Sequence, residues 1–127
     1  MNRRDLEQQV VDYSHRLHQS GWVANHDGNI TVKLEPGRFL ATPTALSKAD
    51  ILREQLIVVD EGGKVVSGRM RPFSEIALHL YIYRQRPDVR VVMHAHPPTA
   101  TGLSVAGVPV ETTMMAEPVV SLGDSIP

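Results

Sequence analysis

The sequence predicts an α+β domain built on a mainly antiparallel β-sheet that is flanked by helices. Three observations carry this prediction. Short runs of alternating apolar residues are joined in pairs by turn-forming residues, which is typical of β-hairpins. Segments with the three-and-four apolar spacing of amphipathic helices separate these pairs. The 127 residues are 42% hydrophobic and 21% charged, which is sufficient for one soluble domain with a buried core.

The first element is predicted as an amphipathic helix over residues 5–20. Its apolar side chains recur at three- and four-residue intervals, which predicts one buried stripe along the helix. Gly21 follows as the helix-ending residue, because glycine readily adopts the left-handed conformation that closes many helices. The predicted stripe consists of Leu6, Val10, Tyr13, Ser14 and Leu17.

Two hairpins follow a loop that is rich in turn-forming residues. Each consists of two short strands joined by a turn that contains glycine. A short helical turn is expected between the hairpins, starting at Ser47 or Lys48 and ending at Leu52. The predicted strands cover residues 30–34, 39–42, 56–60 and 64–67. Towards the end of the chain we expect a helix over residues 99–106 and a strand over 108–112.

A second amphipathic helix is predicted over residues 74–86, where apolar side chains again follow the helical spacing. Ser74 is placed at its N-cap, since a serine hydroxyl there accepts a hydrogen bond from a free amide of the first turn. Glu75 then falls in the first turn, where the helix dipole favours a negative charge. That position suits a solvated surface carboxylate as well as a metal ligand or general base. Pro87 ends the helix.

His94 and His96 lie at the end of a predicted strand that begins at Val89 and stops at Pro97. Side chains two residues apart on a strand point to the same face, about 6.5–7 Å apart along the backbone. Two imidazoles placed in this way can bind one metal ion, and neutral imidazole suits zinc, iron, nickel and copper. The spacing alone leaves two interpretations open: a metal-binding pair, or two partly exposed histidines at a strand end.

The composition excludes several classes of function. A net charge of −1, without clusters of basic and aromatic residues, argues against nucleic-acid binding. The chain contains no cysteine, so thiol catalysis is excluded and any metal must bind His, Asp, Glu or water. No apolar run has the length of a membrane-spanning helix, and residues 1–5 lead into a polar helix. We therefore expect a cytoplasmic protein without a membrane partner.

Four short motifs occur in a fixed order along nearly the whole chain. They are Asp27-Gly28-Asn29-Ile30-Thr31-Val32, Leu40-Ala41-Thr42-Pro43-Thr44, Ser74-Glu75 followed by His79, and Arg86-Pro87-Asp88-Val89 leading to His94-Ala95-His96-Pro97. Each is weak by itself, but together and at this spacing they are specific. The chain thereby resembles the class II aldolase/adducin family, which includes fuculose-phosphate aldolases and ribulose-phosphate 4-epimerases.

The resemblance implies an antiparallel sheet between helices, the α/β/α arrangement of class II aldolases, with residues 1–127 as its N-terminal portion. It implies a divalent metal, usually zinc, bound by His94, His96 and a third histidine beyond Pro127. Glu75 matches the catalytic acid/base of the family. The positions that match the loops holding a substrate phosphate are Gly28, Asn29, Thr42, Thr44 and Ser74.

The chain departs from the family at three points. Ala45 stands where the phosphate loop often has glycine, and Phe73 stands where fuculose-type aldolases have an additional serine. Both changes remove phosphate-binding capacity, so phosphorylation of the substrate stays open, with Arg71 or His26 as possible compensating residues. The family is also considerably longer, so we expect the 127 residues to be a C-terminally truncated form.

These assignments predict a metal-dependent aldolase that cleaves or forms a C–C bond in a small hydroxy-ketone or sugar phosphate. The metal would act as a Lewis acid that stabilises the enediolate, and Glu75 would carry the proton. An epimerase or decarboxylase on the same site and a non-catalytic adducin-like interaction module are the alternatives, since a fold does not fix a reaction. Active sites at the subunit boundaries of ring-like tetramers are implied by the resemblance, so we also expect a homo-oligomer.

Overall fold

The computed structural model describes residues 2–111, 119–120 and 125–126, and the chain divides into two compact units. The first unit spans Met1–His96 and the second spans Pro97–Pro127. In the first unit, one long helix packs on each face of a five-stranded sheet. This architecture confirms the predicted α+β class with an antiparallel sheet between helices.

The sheet consists of β1 (Asn29–Glu35), β2 (Arg38–Ala41), β3 (Ile57–Val59), β4 (Val65–Ser67) and β5 (Val91–His94). The strands lie in the order β4-β3-β2-β1-β5, and every neighbouring pair is antiparallel. The pairs β1–β2 and β3–β4 are the two predicted hairpins. Because β5 pairs with β1, the strand that ends at His94 lies beside the strand that begins at Asn29.

The first helix, α1 (Arg3–Gln19), packs against one face of the sheet. Tyr13 is 47% exposed, so its predicted place in the buried stripe is wrong; Val11 takes that place. The helix closes as expected, because Gly21 has φ +68° and its N–H donates to the carbonyl of His18 at 2.9 Å. The buried residues of α1 are Val10, Val11, Ser14 and Leu17.

The second helix, α2 (Ile76–Gln85), packs against the opposite face. Leu80 and Tyr83 are buried there with Phe39 of β2 and Val92 of β5, and the rings of Phe39 and Tyr83 stack with their centroids 4.8 Å apart. Helix α2 thus packs on the sheet face that includes Val92 of β5, and it carries Glu75 at its N-cap.

The predicted N-cap at Ser74 is wrong. The helix begins one residue later, and Glu75 is itself the N-cap residue, with φ −82° and ψ 11° and no side-chain cap hydrogen bond. The Ser74 hydroxyl donates to Glu75 Oε2 at 2.9 Å instead of accepting from a backbone amide. A hydrogen bond to an ionised carboxylate is stronger than one between neutral groups, which accounts for the choice.

The loop between the hairpins also differs from its prediction. Residues 48–50 form only a turn, and a 3-10 helix follows at Arg53–Gln55. Lys48 is 1% exposed, and its Nζ donates to the carbonyl of Leu46 at 3.0 Å. Burial lowers the pKa of the Lys48 ammonium group, partly offset by the negative charge of Asp27.

The second unit contains α3 (Pro98–Val105), β6 (Val110–Glu111) and β7 (Ser125–Ile126). Helix α3 agrees with the helix predicted over residues 99–106. The strand predicted over 108–112 is shorter, and residue 112 lies outside the described residues. β6 and β7 pair in antiparallel orientation. In the part of the chain that the structure describes, no helix has the length and apolar character needed to cross a membrane.

Candidate metal and substrate site

The two histidines of the sequence motif meet at the end of β5. His94 is the last residue of this strand, directly opposite Asn29 of β1, while His96 lies beyond it and donates its backbone N–H to the Trp22 carbonyl at 2.8 Å. The Nε2 atoms of the two rings are 3.1 Å apart, and the ring centroids are 4.8 Å apart. The two side chains therefore converge although only one belongs to a strand.

This pair fits a metal ion that binds imidazole nitrogen. Zinc–nitrogen bonds are about 2.0–2.1 Å long, so one ion can contact two nitrogens separated by slightly more than 3 Å. With Nε2 on the metal, Nδ1 of each ring carries the proton. Over residues 2–111, 119–120 and 125–126, no group of three or more His, Cys, Asp or Glu residues is arranged to hold a metal. The described chain thus offers a two-nitrogen site.

Glu75 lies in the same cavity as the histidine pair. Its Oε2 accepts hydrogen bonds from the Ser74 hydroxyl at 2.9 Å and from Asn29 Nδ2 at 3.4 Å. The hydrogen bond from Ser74 is the main cause that lowers the pKa of Glu75, and the positive charges of His94 and His96 in their protonated forms act in the same direction. Glu75 is therefore ionised at neutral pH and able to accept a proton.

The cavity has a volume of about 160 Å³, and most of the residues that line it are polar. Gly28, Asn29, Thr44 and Ser74, all predicted to hold a substrate phosphate, line it. The remaining lining residues are His26, Asp27, Pro43, Phe73, Glu75, His94 and His96. The lining contains no lysine or arginine, so Arg71 is not part of it, whereas His26, the other residue expected to compensate for the lost phosphate contacts, does line the cavity.

Thr42 does not line the cavity, unlike the other predicted phosphate-binding residues. Its side chain is fully buried, and its Oγ1 accepts a hydrogen bond from the Ile30 N–H at 3.1 Å. The hydroxyl thus completes the backbone bonding between β1 and the chain that leaves β2. The structure does not support a direct contact between Thr42 and a substrate, because this oxygen is committed to the sheet.

Backbone conformation shapes two of the loops around the cavity. Gly28 has φ +70°, and a Cβ atom there would lie 2.4 Å from Val23 Cγ1 and 3.0 Å from the His94 carbonyl oxygen. Only glycine permits this close approach between the loop that precedes β1 and the end of β5. Ala45 has φ +61°, so the second loop keeps a left-handed conformation at the position where the family often has glycine.

Sequence reasoning assigned no role to His79, although it belongs to one of the motifs. It is fully buried, Nδ1 lies 2.8 Å from Thr31 Oγ1, and the ring meets the edge of Phe73 at a centroid distance of 5.0 Å. Its position four residues after Glu75 is the signal that could have placed it on the same helix face. Asp27 was also missed, and its Oδ2 lies 3.8 Å from His96 Nδ1.

The burial of His79 predicts a loss of stability in acid. Desolvation, and to a lesser extent the nearby His94 charge, lower the pKa of His79 from 6.5 to about 4. Between these values the unfolded chain binds a proton that the folded chain excludes, so folding weakens as pH falls from about 6.5 to 4. The loss in the free energy of unfolding that is attributable to His79 is about 3 kcal/mol. Urea unfolding of wild type and His79→Asn across this range measures it, and equal pH dependence in both would contradict the assignment.

The family model described as Class II Aldolase and Adducin N-terminal domain matches residues 8–127. The chain therefore belongs to the class II aldolase/adducin family, as its motifs and fold indicated. Members similar to it include enzymes of different reaction types, so membership defines the class of protein and leaves the reaction to be argued from the site.

Two curated relatives and one solved structure illustrate this range. The chain is 36% identical over 103 residues to L-ribulose-5-phosphate 4-epimerase UlaF of Salmonella typhi, covering 80% of this chain and 45% of that protein. It is 31% identical over 97 residues to methylthioribulose-1-phosphate dehydratase of Stenotrophomonas maltophilia (strain K279a), a match that covers 76% of this chain and 46% of that protein. An L-fuculose 1-phosphate aldolase structure superposes with a TM-score of 0.80 at 29% identity. The superposition covers 89% of this chain and 54% of that protein. The chain spans about half the length of the curated relatives it matches.

Proposed function

We propose that this chain carries the metal-binding and proton-transferring part of a metal-dependent class II aldolase-type lyase. The proposed substrate class is a small hydroxy-ketone, a sugar or a sugar phosphate. The observation that carries the proposal is the convergence of two histidine Nε2 atoms, 3.1 Å apart, with an ionised carboxylate in one cavity. These are the groups that removal of a proton beside a carbonyl requires.

His94 and His96 are the proposed protein ligands of a divalent ion, with zinc as the first candidate. A bound ion would supply a Lewis acid that withdraws electron density from the carbonyl group of the substrate. The family resemblance implies a third histidine ligand, and the described residues offer only this pair. With two imidazole ligands the ion should be held more weakly than at the usual catalytic zinc site, which has three protein ligands.

Glu75 is the proposed acid/base. Ser74 and Asn29 both bond to Oε2, which orients the carboxylate and makes Oε1 the oxygen available for proton transfer. Its lowered pKa keeps the carboxylate ionised, so in this proposal it receives the substrate proton as a base and returns it in the reverse direction. The buried Phe73 lines the cavity beside it.

A phosphate group on the substrate would contact the loops of Gly28, Asn29 and Thr44, together with Ser74. Backbone amides and short hydroxyl side chains are suitable donors to phosphate oxygens. The relatives' names, which are those of sugar-phosphate enzymes, support a phosphorylated substrate. A lining without lysine or arginine indicates that this part of the chain alone binds the phosphate weakly.

A sugar-phosphate epimerase using the same site is the second candidate. It is favoured by the identity of 36% to the Salmonella typhi epimerase, against 29% to the aldolase structure. A decarboxylase stays possible on the same groups. A non-catalytic adducin-like module is disfavoured, since a binding module has no need of a histidine pair and an ionised carboxylate in one cavity.

Exchange of a substrate proton with solvent tests the proposed metal-assisted proton transfer. The zinc-loaded chain is incubated with dihydroxyacetone phosphate in D₂O, and the hydroxymethyl protons are followed by NMR. We expect them to exchange faster with zinc than with zinc removed by EDTA. Incubation with L-fuculose 1-phosphate and L-ribulose 5-phosphate then separates cleavage from epimerisation. Exchange that is no faster than in buffer would refute the proposed acid/base chemistry.

Self-association is proposed as well, with a second copy of this chain as the partner. Tyr13, Val91 and Met93 are 47%, 46% and 44% exposed, and they line an apolar groove beside the edge strand β5. Exposed apolar surface of this kind commonly marks an interface. Light scattering of the 127-residue chain tests the association, and a monomer at high concentration would contradict it.

A further inference from the structure

Polar contacts join β1 to α2 and its N-cap residue at two levels, one at the cavity and one beneath it, where Tyr83 also bonds Thr31. The outer contact is Asn29 with Glu75, and the inner contact is Thr31 with His79. Glu75 and His79 are one helical turn apart, and the His79 N–H donates to the Glu75 carbonyl at 3.3 Å. The inner contact is fully buried, whereas Glu75 is half-buried. His79 therefore belongs to the rigid part of the structure that supports the site.

The hydrogen bonds around Thr31 determine which ring nitrogen of His79 carries the proton. The Tyr83 hydroxyl donates to the Thr31 carbonyl at 2.9 Å, so its proton is used. The Thr31 hydroxyl then donates to Tyr83 Oη at 3.0 Å, and His79 Nδ1–H donates to Thr31 Oγ1 at 2.8 Å. This assignment uses each proton once and leaves His79 Nε2 as an acceptor.

Three buried polar atoms near this contact have no hydrogen-bond partner among the described residues: His79 Nε2, Asn29 Oδ1 and His94 Nδ1. The sheet register brings their residues together. Asn29 lies opposite His94 and Thr31 lies opposite Val92, which packs against α2. His94 is thus the diagonal cross-strand neighbour of the residue that His79 binds, on the same face of the sheet.

We propose that His79 is a positioning residue that holds the ring of His94 through one buried water molecule shared with Asn29. The inference depends on the proposed function in that His94 then presents Nε2 to the metal and carries its proton on Nδ1. The water accepts a hydrogen bond from His94 Nδ1–H and donates to Asn29 Oδ1 and His79 Nε2. Three hydrogen bonds to otherwise unsatisfied buried groups are the usual complement of an internal water.

The chemistry of metal sites explains why such a partner is needed. A histidine that ligates a metal almost always donates its other ring N–H to an acceptor, which fixes the ring orientation and the tautomer. His79 suits this role because burial keeps its ring neutral, with a pKa of about 4, so Nε2 stays an acceptor at neutral pH. The buried contacts of Thr31 and Tyr83 hold that acceptor in place.

Zinc titration of three variants of the full 127-residue chain, followed by NMR of the histidine rings, tests the proposal. His79→Asn keeps a donor near Thr31 but removes the Nε2 acceptor, and we expect roughly 10- to 100-fold weaker zinc binding. His79→Gln places an amide oxygen near the Nε2 position and should restore much of the affinity. Leu80→Ala is the matched control, because it removes buried apolar contacts at the next residue of α2 without touching these hydrogen bonds, and it should lower thermal stability without weakening zinc binding.

A second measurement needs no metal. The ¹⁵N chemical shifts of His94 in the metal-free chain should identify the Nδ1–H tautomer in wild type and a mixture of tautomers in folded His79→Asn. Unchanged shifts and unchanged zinc affinity in His79→Asn would overturn the proposal, as would equal losses of affinity in His79→Asn and Leu80→Ala. A wild-type chain that binds no zinc but has the expected shifts would contradict the proposed metal site and leave the positioning role supported.

Discussion

Replacing Glu75 by glutamine should slow zinc-dependent proton exchange from dihydroxyacetone phosphate by roughly 10²- to 10⁴-fold, the usual contribution of a general base. The physical reason is that the amide is isosteric with the carboxylate but cannot accept a proton at neutral pH. The fold should persist, because Glu75 is half-buried and provides no side-chain cap to α2. NMR exchange rates of wild type and Glu75→Gln at equal zinc saturation measure the effect.

The control for this experiment is Glu61→Gln, which removes an exposed carboxylate from the turn between β3 and β4. It makes the same change in net charge at a residue that does not line the cavity, and it should leave the exchange rate unchanged. Full exchange in Glu75→Gln would show that another group accepts the proton. Equal slowing in both variants would point to an effect of charge alone.

Gly28→Ala should destabilise the fold by roughly 2–5 kcal/mol, through an unfavourable left-handed backbone and a steric clash. The added Cβ would lie 2.4 Å from Val23 Cγ1 and 3.0 Å from the His94 carbonyl oxygen. Relief of that clash must move the first loop or the end of β5, so zinc binding should weaken as well. Urea unfolding and zinc titration measure the two effects.

Gly21→Ala is the matched control for this prediction. Gly21 has almost the same φ, +68°, but nothing lies within 4 Å of the Cβ position. Gly21→Ala should therefore lower the free energy of unfolding only through the unfavourable left-handed backbone, by about 1–2 kcal/mol. Equal destabilisation in the two variants would mean that the close approach of Gly28 to the histidine strand has no energetic consequence.

The main architecture was predictable because its signals are local. The two hairpins have alternating strands and glycine turns, and the structure places them as β1–β2 and β3–β4. The pairing of β5 with β1 is a contact between distant segments that no local pattern specifies. The start of α2 was misplaced because the Ser74 hydroxyl can bond either to a backbone amide or to the neighbouring carboxylate, and the sequence does not distinguish these.

The candidate site was predictable to the extent that it follows strand alternation and the family motifs. His94, His96 and Glu75 do share one cavity, and so do Asn29 and Ser74. Other contacts depend on three-dimensional packing. Thr42 faces the sheet because its oxygen bonds to the backbone of a neighbouring strand, and the buried partner of His79 is likewise remote in sequence.

Zinc titration of wild type, His94→Ala and His96→Ala, by calorimetry and by NMR of the histidine rings, tests the central claim most directly. We expect wild type to bind one ion per chain, with the rings of His94 and His96 as the ones whose signals shift. Each alanine variant should lose this binding while remaining folded, because a single imidazole is left. Zinc binding of the same strength in all three proteins, or no binding by folded wild type, would contradict the account.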